Sequence, residues 1–187
     1  MNIVERAKAI LLKPDREWRV IEHESADPKH LFTNYIGVIA LIPAFAGFVS
    51  STFIGVETPA GTVRLSILAG LICAVYGYVL TLVIVYIAAF ATDWLAPRFG
   101  GQKNFDNALR LSVYCNTPYC LASVFLLVPF LKFLIVLGLY GLYLFYRGAP
   151  ILMKCPRNRA ALYAAAVFAI VFIVALPLGS VQTLFWL

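Results

Sequence analysis

Charged residues are scarce in this sequence. Only 13% of the 187 residues are Asp, Glu, Lys or Arg, while 62% are hydrophobic, whereas soluble domains average about 25% charged and about 45 to 50% apolar residues. A soluble globular domain is therefore excluded. The apolar residues come in long uncharged runs, without the periodicity of an amphipathic helix or strand, which is typical of an integral membrane protein.

Histidine and cysteine are also few, which limits metal sites and catalysis. The two histidines, His23 and His30, both precede the first apolar run, and the four cysteines include no C-x-x-C pair. The phosphate-loop, H-E-x-x-H and G-x-S-x-G motifs are absent as well. The sequence therefore predicts no metal, no cofactor and no enzymatic activity. Nucleic acid is not an expected partner, because basic and aromatic residues are not interleaved.

Five uncharged runs predict the fold class, an all-α integral membrane protein with five transmembrane helices preceded by short amphipathic N-terminal helices. The runs are residues 31–56, 65–92, 111–131, 133–146 and 160–187. A helix needs about 20 residues to cross the hydrocarbon core. The fourth run is completed by reading through Arg147 to Met153, because an arginine near a helix end can extend to the headgroups. The predicted spans are about 31–56, 65–93, 109–130, 132–153 and 160–187, in a transmembrane domain of residues 31–187.

The distribution of Lys and Arg predicts the topology. Of the 15 basic residues, all but Arg64 and Lys132 lie before the first run, between the second and third, or around the connection of the fourth to the fifth. The positive-inside rule therefore places the N-terminus in the cytoplasm and the C-terminus outside. If the fourth run were re-entrant, the C-terminus would instead be cytoplasmic.

The first 30 residues are predicted to form a cytoplasmic segment of amphipathic helices. Apolar positions recur at helical spacing over residues 3–11, and Pro14 ends this helix. A second helix begins at Asp15 and carries Trp18 on its apolar side. Two interpretations stay open: the helices lie in the membrane interface, or they pack over the cytoplasmic ends of the spans.

Polar residues cluster around the connection between the second and third spans. The predicted functional polar cluster consists of Asp93, Arg98, Asp106, Asn107, Arg110, Asn116, Thr117 and Pro118. Asp93 and Arg110 can pair if this connection folds back. Pro118 has no N–H and frees a backbone carbonyl one turn earlier. The polar residues before it can therefore complete a packed kink or line a wet path.

The cytoplasmic side is predicted to carry a contact surface for a membrane or cytoplasmic protein partner, including Trp18, Arg147 and Lys154. No charged residue lies near the middle of a predicted span, which disfavours the proton relays and coupling-ion sites of transporters. The leading hypothesis is a non-enzymatic adaptor or membrane-organising scaffold embedded in membrane lipid, with a homo-oligomer as an open alternative. The alternative function is a channel or transporter for a small solute or lipid through the polar kink of the third span.

Three stretches carry motifs in a characteristic order. They are ILLKPDREW (residues 10–18), GGQKNFDNALRLSVYCNTPYC (residues 100–120) and LYGLYLFYRGAPILMKCP (residues 139–156). The specific features are Pro-x-x-x-Trp at Pro14 and Trp18, Thr-Pro at Thr117 and Pro118, and Pro-x-x-Met-Lys at Pro150, Met153 and Lys154. In this order they resemble the Yip domain family, in particular its small prokaryotic members. Cys115 stands where the family pattern most often has serine.

The resemblance implies a fold and a location. It implies five membrane helices with a cytoplasmic N-terminus, and for a prokaryotic member a place in the bacterial inner membrane. Eukaryotic members are Golgi and endoplasmic reticulum proteins that bind Rab-type GTPases and take part in vesicle traffic and membrane shaping. For the small prokaryotic members it implies no established activity, so the functional hypothesis depends on the residues themselves.

Overall fold

The computed structural model describes residues 2–24, 31–58 and 61–181. The helices are α1 (Ile3–Leu12), α2 (Pro14–His23), α3 (Gly37–Ile39), α4 (Leu41–Val49), α5 (Ile67–Leu95), α6 (Phe105–Cys115), α7 (Thr117–Ala122), α8 (Tyr140–Leu152) and α9 (Arg157–Ser180). π-Helical turns cover Leu31–Ile36 and Ser50–Ile54, and 3₁₀ helices cover Ala96–Phe99, Ser123–Leu127 and Pro129–Leu139. Strands β1 (Val56–Thr58) and β2 (Gly61–Val63) pair as a short antiparallel hairpin.

Helical stretches of membrane length dominate the described residues. Those long and apolar enough to cross a bilayer are Leu31–Ile54, Ile67–Phe99, Pro129–Leu152 and Arg157–Ser180. Apart from the small hairpin, the architecture is that of an all-α membrane protein, as predicted from the sequence. The predicted third span, about 109–130, is not among these four stretches, so the count of five spans stays a prediction. The end of the predicted last span, residues 182–187, lies outside the described residues.

The third predicted span is divided into shorter pieces. It begins as α6, turns at Asn116, continues as α7 and ends in the 3₁₀ helix Ser123–Leu127. The turn comes directly before Thr117 and Pro118, where the missing N–H and the proline ring interrupt the helical hydrogen-bond ladder. The kink expected from the sequence is therefore present, but the chain does not resume a long α-helix after it.

The 3₁₀ helix Pro129–Leu139 allows a short apolar run to cover a long distance. It contains 11 residues, and a 3₁₀ helix rises about 2.0 Å per residue, so the segment extends about 22 Å. The 13 residues of α8 continue it and add about 20 Å at 1.5 Å per residue. Together they exceed the roughly 30 Å of a hydrocarbon core. Runs of 3₁₀ helix this long are uncommon.

The core lies at one end of the bundle, where α1 and α2 meet α6 and α8, and where α9 packs beside α8. We call this the basic end, because it also holds the α5–α6 and α8–α9 connections with their Lys and Arg residues. Fully buried large side chains here include Ile10, Trp18, Ile21, Leu111, Leu144, Phe145, Leu152 and Tyr163. In contrast, α5 leaves many apolar side chains exposed, as expected for a helix surrounded by lipid.

Two hydrogen bonds to backbone carbonyl oxygens join the connections at the basic end. The Gln102 N–H donates to the Met153 carbonyl oxygen at 2.8 Å, and the Asn107 side chain donates to the Leu152 carbonyl oxygen at 3.0 Å. Gly100, with φ +79°, ends the 3₁₀ helix Ala96–Phe99 in the left-handed region and lies against Pro156. The α5–α6 connection is thus fixed to the end of α8.

Gly100→Ala is expected to lower the free energy of unfolding by about 1–2 kcal/mol, because a Cβ is disfavoured in the left-handed conformation. The new Cβ would also lie 3.3 Å from Pro156 Cδ. Thermal unfolding in detergent measures the change. Gly47→Ala is the control, since a Cβ at Gly47 meets nothing within 4 Å. Equal melting temperatures for Gly100→Ala and wild type would contradict the prediction.

Candidate functional site

The N-terminal cap, defined as α1 and α2, covers the basic end of the bundle. Asn2 begins α1, and its Oδ1 accepts a hydrogen bond from the Val4 N–H at 3.4 Å. Pro14 starts α2, where its fixed φ suits the first helical position, and Asp15 and Glu17 stand in the first turn. The inward faces carry buried apolar side chains, namely Ala7, Ile10, Trp18 and Ile21. These inward faces therefore pack on the bundle.

Trp18 is the central anchor of the cap. Its side chain is completely buried, and its ring meets the Tyr114 ring edge-on at a centroid distance of 6.0 Å. Gly148 makes room for it, since a Cβ there would lie 2.7 Å from Trp18 Cε2. The sequence predicts Trp18 as part of a contact surface for a partner; in the structure its side chain lies inside the protein, between α2 and the bundle. An aromatic residue on the apolar face of an amphipathic helix is used here for packing inside the protein.

Arg6 is a buried cation that the sequence interpretation missed. Its guanidinium forms ion pairs with Glu17 and Glu24 and lies 5.9 Å from the centroid of the Tyr114 ring. Burial alone lowers the pKa of Arg6, but the hydrogen bond to Glu24 and the neighbouring carboxylates outweigh burial and raise it. Helical spacing could have indicated that Arg6 is buried, because Arg6 lies four residues before Ile10 on the apolar face of α1.

Arg147 and Lys154 fasten α2 to the end of α8. The Arg147 side chain pairs with both carboxylate oxygens of Asp15, with Nε 2.6 Å from Oδ1. Lys154 pairs with Glu22. Both basic side chains remain partly exposed. Exposed ion pairs of this kind contribute only about 0.2–1 kcal/mol each to the free energy of unfolding. They orient the cap on the bundle more than they stabilise the fold.

The members of the predicted polar cluster separate into different environments. Arg110 Nη1 donates to the Ile21 carbonyl oxygen at 3.1 Å, which adds a further link to α2. Arg98 places its guanidinium 4.0 Å from the centroid of the Trp94 ring. Asp106 is exposed in the first turn of α6. The expected pairing of Asp93 with Arg110 stays a prediction.

The kink of the third predicted span is packed against the first apolar segment. Thr117 is fully buried, and its Oγ1 lies 3.1 Å from the Tyr35 hydroxyl, within hydrogen-bond distance. Pro118 is also buried. The Asn116 side chain donates to Cys120 Sγ at 3.4 Å. The arrangement of Thr117 and Pro118 thus corresponds to the packed kink, while Asn116 lines an apolar cavity beside it.

A shallow, open concave surface lies along the outward face of α2 at the basic end. It is lined by Asp15, Arg16, Arg19, Val20, His23 and Glu24, around a volume of about 790 Å³. His23 Nδ1 lies 2.7 Å from the Arg19 carbonyl oxygen within the helix. Across the described ranges of the chain, no three His, Cys, Asp or Glu side chains are grouped so that they could hold a metal. Such a surface can bind a macromolecule through charge and shape.

Fold and site together define a multi-pass helical membrane protein whose N-terminal helices close one end of the bundle. The chain belongs to the family of the Yip1 domain, which matches residues 8–178. The predicted family resemblance is confirmed. The chain is 26% identical over 178 residues to the inner membrane protein YohC of Escherichia coli K12, with 92% of this chain and 91% of the relative covered. YohC of Escherichia coli O6:H1 matches with the same figures. No solved structure gives a significant match.

Proposed function

We propose that the protein is a non-enzymatic adaptor or membrane-organising scaffold whose docking platform is the outward face of α2. The platform is defined as Arg16, Arg19, Val20 and His23, all of which are exposed. The observation that carries the proposal is the contrast between the two faces of this helix. The inward face is fixed by the buried Trp18 and Ile21, while the outward face presents cations without burying them.

A fixed, basic platform is suited to a protein partner with an acidic surface. Because α2 is already held on the bundle by Trp18 and by the Asp15–Arg147 pair, binding needs little ordering of the platform. Asp15 is paired with Arg147, so Arg16 and Arg19 dominate the local charge. Arginine is enriched in protein interfaces, and complementary charge speeds association and selects partners.

The proposal includes a topology of five spans, with the N-terminus in the cytoplasm and the C-terminus outside. Two contacts support five crossings. The start of α6 is tied to the basic end, since Asn107 donates to Leu152 O, whereas Pro129 and Lys132 share a concave surface with Gly55 at the other end. The chain between α6 and Pro129 therefore runs from one end to the other. YohC is named an inner membrane protein, which supports the same location for this chain.

A reporter enzyme fused after Leu187 tests the topology. An alkaline phosphatase fusion is expected to be active, because this enzyme folds only outside the cytoplasm, and a fluorescent protein that fails to mature there is expected to stay dark. The matched control is the same pair of reporters fused at the N-terminus, with the opposite result. A fluorescent C-terminal fusion without phosphatase activity would contradict five crossings.

Charge reversal on the platform tests the adaptor function. Arg16→Glu combined with Arg19→Glu is expected to reduce co-purification of the partner at least tenfold from membranes cross-linked in living cells, since both substitutions place carboxylates against an acidic surface. Arg64→Glu is the control, because Arg64 is an exposed cation of the opposite end. Native mass spectrometry of the purified protein then identifies what remains bound. Unchanged co-purification, or a second copy of the chain as the only bound protein, would contradict the proposal.

A further inference from the structure

A second cavity lies within the apolar part of the bundle and has no part in the docking platform. It has a volume of about 510 Å³ and lies between α5, α6, the 3₁₀ helix Pro129–Leu139 and α9. Its lining includes Ala88, Ser112, Asn116, Gly138, Leu139 and Val171, with apolar side chains at nearly all other positions. Cavities of roughly 300–1,000 Å³ with an apolar lining and few polar groups are typical of sites for small apolar ligands.

The cavity opens to the side of the bundle. Ser112, before the kink, and Tyr119, after it, both line the cavity. Val136 and Leu139, on the 3₁₀ helix, form part of the wall and are each more than half exposed. In a bilayer, the molecules next to such an opening are lipid hydrocarbon chains.

Ser112 gives this cavity one polar point. Its side chain is almost completely buried, and its Oγ has no hydrogen-bond partner in the part of the chain that the structure describes. A buried hydroxyl without a partner is disfavoured, since its desolvation is not compensated. Ser112 lines the cavity, but its Oγ has almost no accessible surface there, so the side chain must turn about its Cα–Cβ bond before the hydroxyl can donate a hydrogen bond to an acceptor inside the cavity.

We propose that this cavity binds one acyl chain of a membrane phospholipid, with the ester carbonyl oxygen accepting a hydrogen bond from Ser112 Oγ. The apolar wall suits a hydrocarbon chain and disfavours an ion or a sugar, which would lose hydration without replacement. This lipid site goes beyond the adaptor function and does not depend on it.

The test compares lipids that differ only in the carbonyl group. The full-length protein is placed in nanodiscs that contain equal amounts of dipalmitoyl phosphatidylcholine, with ester linkages, and dihexadecyl phosphatidylcholine, with ether linkages. Native mass spectrometry counts the lipids that stay bound after release. Wild type is expected to retain the ester lipid about fivefold more than the ether lipid, which corresponds to one neutral hydrogen bond of about 1 kcal/mol.

Three variants separate the effect of the Ser112 hydroxyl on lipid binding from the effect of the cavity volume. Ser112→Ala is expected to bring the ester-to-ether ratio close to one while one lipid remains bound. Ala88→Leu fills the cavity and is expected to abolish retention of either lipid. Val83→Leu is the matched control, because Val83 is exposed on the same helix and does not line the cavity. It is expected to behave like wild type.

Two results would overturn the proposal. One is an ester-to-ether ratio near one in the wild-type protein, or the same preference in wild type and Ser112→Ala. The other is a dimer of the chain that carries no lipid, since the occupant of the cavity would then be a second copy. If Ala88→Leu does not fold, the Ser112→Ala ratio alone decides, because that substitution removes a single oxygen atom.

Discussion

Replacing Trp18 with alanine is expected to lower the free energy of unfolding by about 3–5 kcal/mol, the range for removing a large buried aromatic side chain. The ring is completely buried between the cap and the bundle, against Tyr114 and Gly148. Its loss leaves a cavity where the inward face of α2 packs on the bundle. Thermal unfolding in detergent measures the loss of stability, and limited proteolysis measures release of the cap.

Trp94→Ala is the control for this experiment. Trp94 is 45% exposed and contacts the Arg98 guanidinium, so its removal is expected to cost only about 0.5–1 kcal/mol, the value of an exposed cation–π contact. The cap should then remain resistant to protease. Equal destabilisation by the two substitutions, or a protease-resistant cap in Trp18→Ala, would contradict the anchoring role of Trp18.

Gly141→Ala is expected to have the second large effect, a destabilisation of about 3 kcal/mol, at the upper end of the usual cost of overpacking. A Cβ at Gly141 would lie 2.3 Å from the Cys115 carbonyl oxygen. Because that oxygen belongs to the backbone at the end of α6, it cannot turn aside as a flexible side chain could. The two helices must therefore separate. Thermal unfolding and the yield of monodisperse protein in detergent measure the result.

Gly179→Ala gives the matched comparison. Gly179 lies in α9, and a Cβ there meets nothing within 4 Å. Its replacement by alanine is expected to leave the melting temperature close to that of wild type, because the new Cβ contacts nothing and the position lies at the end of the helix. If Gly141→Ala melts at the same temperature as wild type, α6 and α8 do not approach each other as closely as in the structure, and the prediction is contradicted.

Much of the helical architecture could be predicted from the sequence because lipid imposes a simple rule. A chain in hydrocarbon must satisfy its backbone groups internally, so a long uncharged run predicts a helix wherever it occurs. The kink before Pro118 was predictable for the same local reason. The 3₁₀ helix Pro129–Leu139 was not, because apolar residues on every face give no periodicity that distinguishes 3₁₀ from α geometry.

The candidate site was less predictable, because contacts between distant parts of the chain determine it. The sequence near Trp18 indicates an amphipathic helix, which fits an exposed contact surface and a buried anchor equally well. Gly148, 130 residues later, decides between them by leaving space for the ring. The Arg110 guanidinium donates a hydrogen bond to the Ile21 carbonyl oxygen. These two residues are 89 positions apart, and sequence spacing alone does not reveal such a contact.

The most direct test of the docking platform is site-specific photo-crosslinking in living cells. A photoreactive amino acid is placed either at Val20, on the platform, or at Val63, in β2 at the opposite end; the two native side chains are similarly exposed, at 41% and 37%. The account predicts one defined protein adduct at Val20 that disappears in Arg19→Glu and is not formed at Val63. Adducts with lipid alone at Val20, or the same protein adduct at both positions, would contradict a docking platform on α2.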